Sequence, residues 1–177
     1  PSYIWNDILV QEQSSTTGNP YFLRINTWNA TTGASIANGT ETGTYRPESS
    51  GVTGDGKFFY HGVDLRVHAI SLYTCAEVWQ SEQWDSPWGS FSNYQTSVGY
   101  GNVYMGSFDG YMRAFDTATG KLSWKYYSGN TTETPMGNYG FWGRPVVADG
   151  QVYVAQGVHT PGIPAPRGNS LCAFNAI

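Results

Sequence analysis

The sequence predicts an all-β fold, a β-propeller of four-stranded antiparallel blades with about four blades in its 177 residues. Three observations predict it. A unit of four short strands recurs roughly every 42 to 45 residues. The composition favours strands and tight turns. No segment places apolar residues at i, i+3, i+4 and i+7 over a helical length, so no helix is expected.

Composition comes first because it bounds the class. Charged residues make up 12% of the chain, about half of the ~25% usual in soluble domains. Aromatics reach 16%, with 13 Tyr, 8 Phe and 7 Trp, beside 22 Gly and 9 Pro. Aromatic and Thr-rich chains suit strands, and Gly and Pro suit turns. A hydrophobic content of 40% is enough for a packed core. The net charge is −4 and Lys and Arg nowhere cluster, so the chain has no basic stripe for phosphates and no nucleic-acid partner is expected. No apolar run approaches the ~20 residues that span a bilayer.

The repeat is clearest in Ala114-Phe115-Asp116-Thr117-Ala118-Thr119-Gly120-Lys121-Leu122-Ser123-Trp124. An earlier copy, Ala69 to Trp79, lies 45 residues upstream and keeps the Ala, Thr and Trp offsets. A weaker copy, Thr27 to Gly33, lies 42 residues before that, with Ala37 where Trp would be. A fourth begins at Ala173-Phe174-Asn175, after a longer interval of 59 residues. Upstream of each motif the segments Phe58–Gly62, Val103–Gly106 and Val152–Ala155 align, each preceded by a short turn: Gly54-Asp55-Gly56-Lys57, Gly99-Tyr100-Gly101-Asn102 and Ala148-Asp149-Gly150-Gln151. Apolar residues flanking a Gly-containing turn indicate hairpins. The third unit should therefore carry strands near 94–98, 102–107, 111–116 and 121–127. One partial propeller domain over 1–177 follows, with blades near 1–40, 45–82, 92–128 and 140–177, the last truncated. Both chain ends read as cuts within a longer protein.

The pattern Ala-x-Asp-x-x-Thr-Gly-Lys-x-x-Trp resembles the tryptophan-docking motif of pyrroloquinoline-quinone-type (PQQ-type) propellers. Ala114, Asp116, Thr119, Gly120 and Trp124 match it fully, while the copy at Ala69 and Trp79 has Ser71 for the Asp and Cys75 for the Gly. Trp79 and Trp124 are expected on outer strands, flat between blades, with Ala on the neighbouring strand leaving room for the indole. Gly33 and Gly120 would supply a positive φ in the turn. Cys75 in that turn is expected to differ in backbone geometry. The resemblance implies seven or eight blades in all, so four alone would expose strand edges and an apolar face, and would not be stable in isolation.

In enzymes of this family the resemblance implies PQQ on the propeller axis, Ca²⁺ or a lanthanide beside it, acidic ligands, a catalytic Asp and often a Cys-Cys pair. Cys75 and Cys172 lie far apart and define no disulfide framework. No Asp or Glu here matches a family metal or catalytic motif. His61 and His68 fall on successive strands and His159 in a loop, so surface or hydrogen-bonded roles are favoured over metal binding. Asp64, Asp109, Asp116 and Asp149 sit at repeat turns, where capping of turn amides is the expected role. Two irregular segments, Trp79 to Tyr94 (with Trp84, Trp88 and Phe91) and Gly157 to Asn169 (with Pro161, Pro164 and Pro166), suit either ligand stacking or interblade packing, as does Tyr139 to Trp142. Packing is the favoured reading.

Sequons at Asn29, Asn38 and Asn130 mark possible glycosylation. With scarce Lys and abundant Tyr, Thr and Asn they point to an extracytoplasmic protein: cell surface, secreted or periplasmic. The expected function is a non-catalytic binding or structural module of a larger surface or secreted protein. Its partners would be the rest of the propeller, other surface proteins or glycans. The alternative is a segment of a PQQ-dependent dehydrogenase acting on an alcohol or sugar, the only reading that implies PQQ with Ca²⁺ or a lanthanide. A third, a scaffold resembling the outer-membrane assembly lipoproteins, shares the repeat.

Overall fold

A computed structural model of the chain describes residues 2–14, 22–43, 51–86, 95–134, 137–157 and 170–177. They form four antiparallel sheets, each a meander in chain order, and the described residues contain no helix. Blade one is β1 (Ser2–Trp5), β2 (Ile8–Ser14), β3 (Leu23–Asn29) and β4 (Ser35–Asn38). Blade two is β5 (Val52–Gly54), β6 (Lys57–His61), β7 (Val67–Ser71) and β8 (Glu77–Gln80). Blade three is β9 (Ser97–Gly99), β10 (Asn102–Gly106), β11 (Tyr111–Asp116) and β12 (Leu122–Tyr127). Blade four contributes β13 (Phe141–Ala148), β14 (Gln151–Gln156) and β15 (Ser170–Asn175). The inner strands β1, β5, β9 and β13 pack in succession, so the sheets follow one another around an arc.

The turn between the first two strands of each blade is the same object four times. Its central residues, Asn6-Asp7, Asp55-Gly56, Tyr100-Gly101 and Asp149-Gly150, all have positive φ. That is the two-residue hairpin geometry whose twist matches that of the flanking strands, and it explains the Asn, Asp and Gly found there.

The core lies in the seams between sheets. Strand residues alternate faces, so a middle blade feeds two seams at once. Phe58 and Tyr60 pack against Ile8, Val10, Leu23 and Ile25 of blade one. Phe59, between them in sequence, packs the other way with Val103, Met105 and Phe115 of blade three. Tyr104 then joins Phe141, Val152 and Val154 in the next seam. This is why β6 and β10 read as continuous apolar runs while β4, β8 and β12 are largely exposed. The register also aligns the repeats, since Thr27, Ala69, Ala114 and Ala173 occupy equivalent third-strand positions.

Trp79 stands opposite Ala69 and crosses the seam to blade three, where its indole N–H donates to the Thr117 carbonyl at 3.0 Å. A Cβ added at Gly120 would meet that indole at 2.5 Å, and Gly120 has φ 70°. Glycine is thus required there twice, for the turn and for the ring against it. The preceding seam inverts the pair. Ala37 replaces the Trp, Cys75 replaces the Gly, and both pack in the same cluster. The expectation of a different backbone at Cys75 is overturned. Its φ is 54°, and its N–H bonds to the Ser71 carbonyl at 2.9 Å, as Gly33 does to Asn29 and Gly120 to Asp116 at 2.8 Å. With no indole arriving, the side chain has room. Its thiol lies 3.6 Å from the Thr27 hydroxyl, and this contact and burial offset the strain of the left-handed conformation.

This exchange predicts a measurable coupling. Trp79→Ala should cost about 3 kcal/mol, the low end for Trp→Ala because the ring is half-buried. Gly120→Cys should cost about 1–3 kcal/mol by overpacking. The double variant, read by urea denaturation, should be more stable than the sum of the two by at least about 0.5 kcal/mol.

Candidate functional site

The third-strand basic residues and the acids of the preceding turn make one polar device in two versions. In blade three, Arg113 on β11 is buried and its guanidinium donates to Asp109 Oδ2 at 2.5 Å and Oδ1 at 3.1 Å, and to Ser107 Oγ at 2.8 Å. Asp109 also accepts the Tyr111 backbone N–H at 3.1 Å. In blade two, His68 occupies the position of Arg113 and Asp64 that of Asp109. His68 Nε2 lies 3.1 Å from Asp64 Oδ1, and Nδ1 lies 2.6 Å from Glu77 Oε1. Asp116 alone among these acids is purely a turn cap, accepting from Ala118 N, Thr119 N and Thr119 Oγ1 at 2.7–3.1 Å. The Thr119 hydrogen bonds hold its carboxyl below the usual range. The turn-cap reading is therefore incomplete for Asp64 and Asp109, which chiefly hold buried basic side chains. Their partners, His68 and Arg113, occupy equivalent register positions in blades two and three, and Glu77 reaches His68 from β8.

A cavity of about 420 Å³ opens beside this device, lined by Glu82, Trp84, Asp85, Tyr111, Arg113 and Lys125 among others. Arg113 lies over the rings of Trp84 and Tyr111, 5.0 and 4.9 Å from their centres, and the Lys125 ammonium lies 5.4 Å from Tyr111. Trp84 also packs on His61 and Phe115, at 5.4 and 6.2 Å between ring centres. Interblade packing accounts for Trp142 too, stacked on Phe108 at 5.5 Å, and for buried Phe141. Trp88, Phe91 and Tyr94, together with residues 158–169 including His159, Pro161, Pro164 and Pro166, lie outside the described residues.

The inner strands are where an axial ligand would be met. They carry Ser2, Tyr3, Ile4, Trp5, Val52 to Gly54, Ser97 to Gly99 and Phe141 to Ala148, among which Arg144 is the single charged residue. Arg144 bridges blades, donating to Gln95 Oε1 at 3.3 Å and to the Gly51 carbonyl at 3.2 Å. The Tyr3 hydroxyl donates to buried Glu12 on β2 at 2.7 Å, and burial with this carboxylate pushes the phenol far above its ordinary value. Of the sequons, Asn38 and Asn130 are exposed. Asn29 Oδ1 caps its turn by accepting from Thr31 N, Thr32 N and Thr32 Oγ1 at 2.7–3.0 Å, as Asp116 does. Cys75 and Cys172 are free thiols, both pushed up by burial.

Four-stranded meanders packed seam to seam define a propeller of the PQQ-type repeat class. A family model described as outer membrane protein assembly factor BamB matches residues 63–176, and the chain belongs to that family. Polyvinylalcohol dehydrogenase of Sphingopyxis sp. (strain 113P3) is 39% identical over 83 residues, covering 42% of this chain and 12% of the enzyme. BamB from Moraxella catarrhalis superposes with a TM-score of 0.65 at 20% identity, over 96% of this chain and 46% of that one. Quinohemoprotein alcohol dehydrogenase from Comamonas testosteroni gives 0.63 at 17%, over 98% and 32%. These two likenesses show the fold alone. The chain spans less than half the length of each of these relatives.

The metal that the resemblance implies for family enzymes calls for a particular donor set. Calcium and similar hard cations take oxygen ligands, chiefly carboxylates. The inner strands offer none, and the His, Cys, Asp and Glu among the described residues nowhere gather into a group of three that could hold a metal. The donor set of these blades does not fit the metal.

Removing one member of the buried pair exposes its worth. Arg113→Met should cost about 3–5 kcal/mol in urea denaturation, because Asp109 stays buried without its cation.

Proposed function

We propose that these blades belong to a non-catalytic, extracytoplasmic propeller that acts as a binding or structural module of a larger cell-surface or secreted protein. The observation that carries this reading is the use made of the carboxylates. Asp109 holds Arg113, Asp64 and Glu77 hold His68, Asp116 caps a turn and Glu12 accepts from Tyr3. Buried charge is spent on the scaffold, and the inner strands carry none of the acids that a metal-dependent oxidation draws on. The tryptophan docking of Trp79, and of Trp124 in the next seam, serves the same scaffold role. The partners on this reading are the remaining blades, other surface proteins or glycans. Exposed Asn38 and Asn130 are the sequons best placed for glycans. The family description, an outer membrane protein assembly factor, supports both the non-catalytic role and the extracytoplasmic location.

The second reading, a segment of a PQQ-dependent dehydrogenase for an alcohol or sugar, is favoured by the 39% identity to polyvinylalcohol dehydrogenase. Full-length protein from its native source separates the two. Absorbance, metal analysis and dye reduction with polyvinyl alcohol should show no stoichiometric quinone, no calcium or lanthanide and no turnover. Stoichiometric quinone with alcohol-dependent dye reduction would establish the enzyme instead.

A further inference from the structure

Both ring nitrogens of His68 meet acids. The ring is 2% exposed, with Glu77 Oε1 2.6 Å from Nδ1 and Asp64 Oδ1 and Oδ2 3.1 and 3.2 Å from Nε2. An ionised carboxylate only accepts hydrogen bonds, so with Asp64 and Glu77 both ionised the two nitrogens donate and the ring carries a proton on each. A face of the imidazole lies flat on Tyr60, 4.8 Å between centres and 10° from parallel. The Tyr60 hydroxyl lies 3.4 Å from Thr42 Oγ1, which follows β4 in blade one. Gly62 leaves the space, since a Cβ there would strike Asp64 Oδ1 and His68 Nε2. The imidazolium thus props the aromatic ring that spans the seam between blades one and two. This is the seam that has Ala37 and Cys75 in place of an indole and a glycine.

We propose that His68, Asp64 and Glu77 form a pH-sensitive lock on the seam between blades one and two, closed in weakly acid and neutral solution and loosened as the solution turns alkaline. Blade three carries the same lock with a cation that cannot titrate, Arg113 on Asp109. When His68 gives its proton to solvent, one ring nitrogen becomes a lone pair facing a carboxylate. A hydrogen bond is then replaced by two acceptors in contact.

The groups facing the ring are Tyr60 from β6, Asp64 from the turn and Glu77 from β8. Arg66 stands behind Asp64 at 3.9 Å. Burial alone would push the imidazole down, but its hydrogen bonds to Asp64 and Glu77 and their charges outweigh it, so the net direction is up. Burial likewise pushes Asp64 up, and the His68 bond and charge bring it below its ordinary value. The signs then follow. The contribution of His68 is complete below its unfolded pKa of about 6.5 and is lost as pH rises through the higher folded value. That of Asp64 is present above about 3.9 and is lost as pH falls through its lower folded value.

The test compares thermal midpoints of the full-length protein across pH 5.5 to 9 with those of His68→Arg and Glu77→Gln. The wild type should lose stability relative to His68→Arg as pH rises above about 6.5, the ordinary histidine value. Glu77→Gln should move that loss to lower pH. If His68→Arg fails to fold, ring ¹⁵N NMR of the wild type decides. Two protonated nitrogens on His68 at pH 7 support the lock. A neutral ring at pH 7, or a wild-type pH profile parallel to that of His68→Arg, overturns it.

Discussion

Each sheet is too thin to bury anything unless another sheet covers it, and the covering has to be repeated at every seam. The middle blades meet this constraint by sending alternate residues of one strand into different cores: Phe58 and Tyr60 one way, Phe59 the other. Tyr104 and its neighbours Val103 and Met105 do the same a blade later. Removing apolar area from water on both faces is what allows strands of only five residues to hold. Fitting the seams closely is left to a few pairs, with Trp79 on Gly120 the plainest. A flat ring of large area meets a residue with no side chain, and its N–H reaches the Thr117 carbonyl.

The seams are alike in architecture and unlike in chemistry. Between blades one and two the large and small partners are exchanged for two of intermediate size, Ala37 and Cys75, with the backbone of the turn unchanged. Across the same boundary the basic group beneath the turn is an imidazole where blade three has a guanidinium. A repeat that keeps its backbone can vary its side chains in compensating pairs, because each pair closes its account locally.

The function proposed here rests on that distinction between scaffold and site. Glu12, Asp64, Glu77, Asp109 and Asp116 are engaged with basic side chains, a turn and a tyrosine. The inner strands present aromatic and small side chains with a single arginine. The cavity beside Arg113 is lined by rings, two acids and Lys125, the kind of surface on which polar ligands or a neighbouring chain could be held.

The repeat, the strand order, the hairpins and the absence of helix among the described residues were legible in the residues themselves. Alternation and turn chemistry are local: Asp55-Gly56 and Asp149-Gly150 announce their turns wherever they occur, and Ala69 and Ala114 mark a register that pairing then realises. Cys75 misled, because the cost of a left-handed cysteine is visible in sequence and the room made by Ala37, 38 positions away, is not. The roles of His68, Arg113 and Arg144 were likewise out of reach. Arg144 finds the carbonyl of Gly51, 93 residues distant, and His68 finds Glu77 only because β7 and β8 lie side by side. Such pairings depend on the distance between strands and between sheets. The sequence determines which elements exist, and only their packing decides which charges meet, because a hydrogen bond needs its partners within about 3 Å whatever their separation along the chain.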